Sequence, residues 1–422
     1  MMDLLREDAA AIYQEAVSAV MPEAAVIKAL QAENMDMPQG ERVVIALGKA
    51  AWRMARAAGE VLGNSISRGL VITKHQHAQG PIPGFHIIEA GHPVPDHCSL
   101  AGARHAMNLV SDLTPEDQVI LLISGGGSAL FELPVPGVSL ENIQQITQQL
   151  LDSGASISEI NTIRKRLSSV KAGRFAQACG GARILSVVLS DVLGDRLDMI
   201  ASGPAYPDST TAADAKEILR RYRLQLSEAA EKALEMETPK IIANCRTILA
   251  GNVAALCRAA AKKAESLGYR PVILTTTLDG EASEAGRVLA AFAREINSSM
   301  LKEYRFTQPC ALILGGETVV QVRGSGKGGR CQELALAAAI QMAGLEQTVL
   351  AAVGSDGTDG PTDAAGGMVD GGSLNRMREA GVDPQALLEE NDAFHALQAS
   401  GDLIITGPTG TNVNDLIILL SR

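Results

Sequence analysis

The chain has 422 residues, with 37 lysines and arginines against 48 aspartates and glutamates, a formal net charge of −11, 46% hydrophobic and 20% charged residues. This composition excludes a disordered chain, and its acidic balance excludes a protein that coats nucleic acid through a basic stripe. The opening MMDLLREDAA mixes acids with bases, no apolar run nears the roughly 20 residues of a membrane helix, and the 6 cysteines contain no C-x-x-C pair. The expectation is a cytoplasmic protein with free thiols, two or three domains and no membrane or nucleic-acid partner.

In chain order, residues 42–47 (RVVIAL), 70–73 (LVIT), 118–123 (QVILLI) and 184–190 (ILSVVLS) are short apolar runs of the buried-strand type. Leu140, Ile143, Ile146 and Leu150, then Ile160, Ile163, Leu167 and Val170, recur at helical spacing. The alternation predicts α/β layers on a largely parallel sheet. The charged stretch 223–240, interrupted by Pro239, is the candidate boundary. Beyond it, 247–249 (TIL) and 272–275 (VILT) are strand candidates around a helix that carries Val253, Leu256, Cys257, Ala260 and Ala264. Residues 311–314 and 318–322 flank Gly315-Gly316-Glu317, too close for a crossover helix. They predict a hairpin or bend, and hence a mixed sheet. Runs 348–353 and 416–420 complete the second set.

Ligands of open α/β sheets bind beyond the carboxyl ends of the strands, so the turns there carry the functional expectation. Gly48-Lys49 opens a helix, whose amino terminus favours an anion; a solvated lysine is the alternative. Ser124-Gly125-Gly126-Gly127-Ser128 follows a strand, and glycines in succession let backbone amides approach a ligand. Asn161, Arg164, Lys165, Ser168 and Lys171 form a cationic helix face that alone predicts only solvation. Asp191, at a strand end, could ligate Mg²⁺ or accept a hydroxyl proton, or merely cap a turn. Gly324, Gly326 and Gly329 satisfy G-x-G-x-x-G, but no acid follows about 20 residues on at a strand end, and Lys327 and Arg330 suit a phosphoryl group better than a nicotinamide. Asp356, Asp359 and Asp363 crowd a later glycine-rich loop, and Thr406–Asp415 is a polar loop before the last strand. All the histidines but His395 lie between His75 and His105, without zinc-site spacing. Neither a Walker A sequence nor a G-x-S-x-G elbow occurs.

Together ALGKAA, AGHPVPD, SGGGSAL, NTIRKRLSSVKAGR, LSDVLGD, GGETVVQVRGSGKGGRCQE, GSDGTDGPTDAAG and TGPTGTNVNDL resemble the glycerate 2-kinase family with a carboxy-terminal MOFRL domain, some of whose members are labelled hydroxypyruvate reductase. The resemblance covers nearly the whole chain. It implies two α/β domains: a Rossmann-like parallel sheet with helices on both faces over 1–238, and a smaller mixed-sheet MOFRL domain over 239–422. The active site is expected in the cleft between them. It implies phosphoryl transfer from ATP, with Mg²⁺, to the 2-hydroxyl of D-glycerate.

The family's functional lysine and arginine match Lys49 and Arg330. Asp191 is the candidate base or metal ligand, with Asp356 as a second metal ligand. Ser124, Gly125, Gly126, Gly127, Ser128, Lys171, Glu317, Gly326, Asn412 and Asn414 complete the expected cofactor-binding set. Arg166, Ala172 and Cys331 depart from the family's pattern of histidine, glycine and asparagine. An NAD(P)H-dependent hydroxypyruvate reductase and a non-catalytic nucleotide sensor are the rival expectations. Oligomeric state is not given; a homodimer is carried as the expectation.

Overall fold

A computed structural model describes residues 2–33, 38–298 and 306–422. The chain divides into two compact units, Pro22–Ala250 and Met1–Met21 with Gly251–Arg422.

In the first unit β1 (Arg42–Leu47), β2 (Arg68–Lys74), β3 (Phe85–Ala90), β4 (Gln118–Ile123), β5 (Arg183–Leu189) and β6 (Cys245–Gly251) lie in the order β3-β2-β1-β4-β5-β6. Neighbours from β3 to β5 pair in parallel. Alternate residues face opposite ways. Val43, Ile45, Leu47, Leu121 and Ile123 pack with Ala103, Ala106 and Val110 of the helix His97–Val110. Val44, Ala46, Ile120 and Leu122 pack with the helices Pro22–Ala32 and Ala51–Leu62. Burial on both faces is why these strands read as unbroken apolar runs. The strand order is that of dinucleotide-binding sheets, and it reverses between β1 and β4.

In the second unit β7 (Arg270–Leu278), β8 (Cys310–Gly316), β9 (Thr348–Gly354), β10 (Gly366–Asp370), β11 (Leu403–Ile404) and β12 (Asp415–Ser421) lie in the order β11-β10-β9-β12-β8-β7. Among the described residues of this sheet only β7 and β8 pair in parallel, so it is mixed, as expected. Ile313, Ile418 and Ala351 face the helices Met2–Ala19 and Val253–Ser266; Leu312, Leu419 and Leu350 face Ala282–Asn297 and Arg330–Gln341.

Three expectations change. The expected hairpin at 318–322 does not form: β7 and β12 already flank β8, leaving it no edge, and Val319 makes only an isolated bridge to Glu281. The run 247–249 belongs to β6 of the first sheet, where Ile248 and Ala250 pack against that unit's core. The division departs from 1–238 and 239–422 at both ends. The first helix completes the second sheet through Leu5, Ala9, Ile12 and Ala16 and through Arg6 on Asp370 (2.5 Å) and Asp402 (3.0 Å).

Candidate active site

The reversal between β1 and β4 brings two of the expected turns together. Gly48 adopts φ +117°, and a β-carbon there would collide with Ser124. Ser124 Oγ accepts from Ala50 N–H (3.1 Å) and donates to the Leu47 carbonyl (3.3 Å), while Lys49 N–H donates to Gly125 O (2.9 Å). This locks the lysine turn to the glycine loop. Each glycine of the loop is then crowded by a different neighbour. A β-carbon on Gly125 would strike the Asp191 carboxylate. One on Gly126, at φ +83°, would press on His92 and the Lys49 stem, and one on Gly127 would meet Ala201. The first unit therefore brings Lys49, Ser124–Gly127 and Asp191 together, with His92 beside them. Burial, with Lys49, Lys74 and His77 nearby, pushes the His92 imidazole down to about 4, so it is neutral at pH 7. Its motif was visible in the sequence, but histidines there were weighed only as zinc ligands. His77 Nδ1 instead donates to Lys49 O (3.0 Å), and His86 stacks on His105.

Ser128 Oγ hydrogen-bonds Ser202 Oγ, which in turn donates to Asn161 Oδ1 (3.3 Å). The Lys171 ammonium is fully buried and engaged within the chain, donating to Glu132 (2.6 Å) and Phe131 O (2.9 Å). Burial lowers it to about 8 against the pull of Glu132. The supposedly solvated cationic face is corrected too. Lys165 and Arg166 are fully buried, with Asp208 at 3.2 and 3.6 Å, because the helices Leu140–Asp152, Ala212–Tyr222 and Glu228–Glu235 pack on their own helix, Ile157–Leu167. Ala172 takes up the glycine-like φ of +53°.

In the second unit, antiparallel register sets Asp415, at the start of β12, opposite both Gly316 and Gly354 at the ends of β8 and β9. Arg330, at the head of the helix Arg330–Gln341, reaches it: Nε and Nη2 donate to Asp415 (2.5 and 3.0 Å), and Nη1 donates to Glu317 (2.9 Å). Asn414 Nδ2 donates to the other Glu317 oxygen (2.8 Å), and Asn412 Oδ1 accepts from Asn414 N–H (3.3 Å). Against desolvation, the two carboxylates hold the guanidinium above its ordinary pKa. Burial raises the Asp415 carboxyl to about 6 although Arg330 opposes it.

Arg330, Glu317, Asn412 and Asn414 thus share one cluster, and Asp415 is the member that sequence reasoning quoted in a motif without assigning. The Gly324–Gly329 loop serves a different purpose than a dinucleotide cradle. Its amides donate to segment 390–392 (Gly326 N–H to Glu390 O, 2.9 Å; Lys327 N–H to Asp392, 3.0 Å), and a β-carbon on Gly326 would collide with Asp392. The amides at the start of the following helix are likewise engaged: Cys331 and Gln332 N–H donate to Asp359 (3.2 and 2.8 Å).

Asp356 Oδ1 closes a local turn with Thr358 N–H (3.0 Å). Among the described residues no group of three or more His, Cys, Asp and Glu is arranged as a metal cage. Mg²⁺ bound to nucleotide needs fewer, typically one or two carboxylates with phosphate oxygens, and Asp191 beside the glycine loop fits that requirement.

Among the described residues no helix is long and apolar enough to cross a membrane, and no cysteine is in a disulfide. A family model described as a domain of unknown function (DUF4147) matches residues 8–235, and that of the MOFRL family matches 310–415. D-glycerate 2-kinase of Thermotoga maritima is 52% identical over 98% of each chain, and glycerate 2-kinase of Pyrococcus horikoshii is 41% identical over 99% of this chain and 97% of its own. The crystal structure of glycerate kinase from Thermotoga maritima superposes with a TM-score of 0.96 at 51% identity, covering 100% of both chains.

Proposed function

Because the chain belongs to the glycerate 2-kinase family, we propose that it transfers the terminal phosphoryl group of ATP to the 2-hydroxyl of D-glycerate, giving 2-phosphoglycerate and ADP. The observation that carries this reading is similarity along the entire chain, in sequence and in structure, to a glycerate kinase. A new O–P bond forms at the 2-hydroxyl as the bond to the ADP oxygen breaks, and the hydroxyl proton passes to a base or to water. Such transfer depends on positioning and charge neutralisation rather than covalent chemistry.

The first unit supplies Lys49 as a cation for the transferring group and the Gly125–Gly127 amides for ATP phosphates. Asp191 is the candidate acceptor of the hydroxyl proton. Mg²⁺, when bound with ATP, would neutralise phosphate charge; Asp191, in its alternative role, and Asp356 are the carboxylates that would hold it. Arg330 belongs to the other unit, and the reading takes it as the second essential cation. A cytoplasmic location and a homodimer are the finer terms of the same reading. The reductase alternative is disfavoured by the Gly324–Gly329 loop, in which Gly324, Gly326 and Gly328 make room for the chain's own residues 390–393 and Gly329 for Asp359.

The purified protein with ATP, Mg²⁺ and D-glycerate should form ADP only when glycerate is present, and phosphorus NMR should show 2-phosphoglycerate. A 3-phosphoglycerate signal would correct the regiochemistry. Oxidation of NADH with hydroxypyruvate and no ADP would overturn the proposal.

A further inference from the structure

We propose that Asp415 is a positioning residue for glycerate recognition: it grips the Arg330 guanidinium side-on, so that the remaining Nη1–Nη2 edge is presented to the substrate carboxylate. This deepens the reading of Arg330 given above and rests on it.

A guanidinium carries five N–H donors in a rigid plane. Asp415 takes the Nε and Nη2 hydrogens of one edge, and Glu317 takes one hydrogen of Nη1. One hydrogen on each Nη then remains, that of Nη2 at the end of the fork, the edge suited to a planar two-oxygen acceptor.

The two carboxylates are not equivalent. The Asp415 side chain is 3% exposed and that of Glu317 is 42% exposed. Asp415 also stands on β12, hydrogen-bonded on both sides to β8 and β9, and its cross-strand partners are Gly316 and Gly354, which put no side chain in its way. A central strand is a stiffer mount than a loop. Arg330 itself is a third exposed, so its guanidinium is clamped but not sealed off.

Charge favours a carboxylate over a polyphosphate at this edge. Two carboxyl groups, Glu317 and Asp415, already flank the single Arg330 guanidinium, with buried Asp359 close by. Repulsion from that surplus grows with the charge of the ligand, so it weighs least on a monoanion bound bidentately. Asp415 touches no substrate atom in this account and acts only through the guanidinium.

A double-mutant cycle tests it. Asp415→Asn is expected to raise the KM for D-glycerate by about ten- to a hundredfold, the scale of a misplaced positioning group, with the KM for ATP unchanged. In an Arg330→Ala background the same change should add no further loss. An equal loss in both backgrounds would show a merely structural role and overturn the inference, as would a loss confined to ATP or no loss at all. Circular dichroism melts establish folding. If Asp415→Asn does not fold, Arg330→Lys replaces it, since an ammonium cannot be held side-on. A glycerate-specific KM increase supports the inference, and an increase shared with ATP overturns it. Full activity in Arg330→Ala would defeat the underlying assignment of Arg330. An impaired Arg330→Ala beside a fully active Asp415→Asn would defeat this inference alone.

Discussion

The carboxylate of Asp191 occupies the space that a β-carbon on Gly125 would need. A strand-end acid and a glycine loop on neighbouring strands are therefore one packed unit, and the absence of a side chain at Gly125 is what lets the acid reach the loop. Gly125→Ala is expected to displace Asp191, lowering kcat by about tenfold or more and stability by about 1–3 kcal/mol through overpacking. Steady-state kinetics with a melting curve separates the two effects. Wild-type kcat would remove Asp191 from the reaction.

Lys49 is held by backbone on both sides, through its own amide on Gly125 and its carbonyl accepting from His77, so its ammonium can be removed without loosening the turn. Lys49→Ala should cut kcat by about a hundredfold with an unchanged melting temperature. A Lys49→Ala enzyme of normal turnover would refute its assignment as a cation of the transferring group.

Lys171 and Glu132 form a fully buried pair. Lys171→Met leaves the buried Glu132 carboxylate with only the more distant Arg164, at 3.8 Å, and is expected to cost about 3 kcal/mol. Adding Glu132→Leu should restore much of the loss. Chemical denaturation of the three proteins checks this. A Lys171→Met protein of normal stability but poor ATP affinity would return the residue to ligand binding.

His92 is neutral in the folded protein down to about pH 4, whereas an unfolded-chain histidine protonates near 6.5. Between these values the unfolded state binds the extra proton, so His92 weakens folding as pH falls from about 6.5 to about 4. His92→Asn is expected to show a shallower loss of melting temperature across that window. Identical slopes for the two proteins would contradict the depressed value.

Much of the fold was legible along the chain. Strands β1, β4, β5, β8, β9 and β12 were found because burial on both faces leaves apolar runs with no polar interruption. The β10 run GGMVD was missed because its glycines hide it, although Gly366 and Gly367 pair with β9 and β11. The site was half legible: Lys49, the glycine loop and Asp191 follow directly after strands, so their common location could be argued from α/β topology. The buried Lys171 could not, since a cation on a helix reads as solvated until the helices that cover it are known.

Local composition was enough to establish α/β layers, the glycine-rich turns at strand ends and the resemblance to glycerate 2-kinases, because each depends on residues near one another in the chain. Which sheet β6 joins, why the first helix serves the second sheet, and how Arg330 comes to face Asp415 across 85 residues of sequence were decided in three dimensions. The physical reason is that periodicity reports which side of an element is buried, whereas strand order and register are settled only when distant segments compete to cover the same apolar surface.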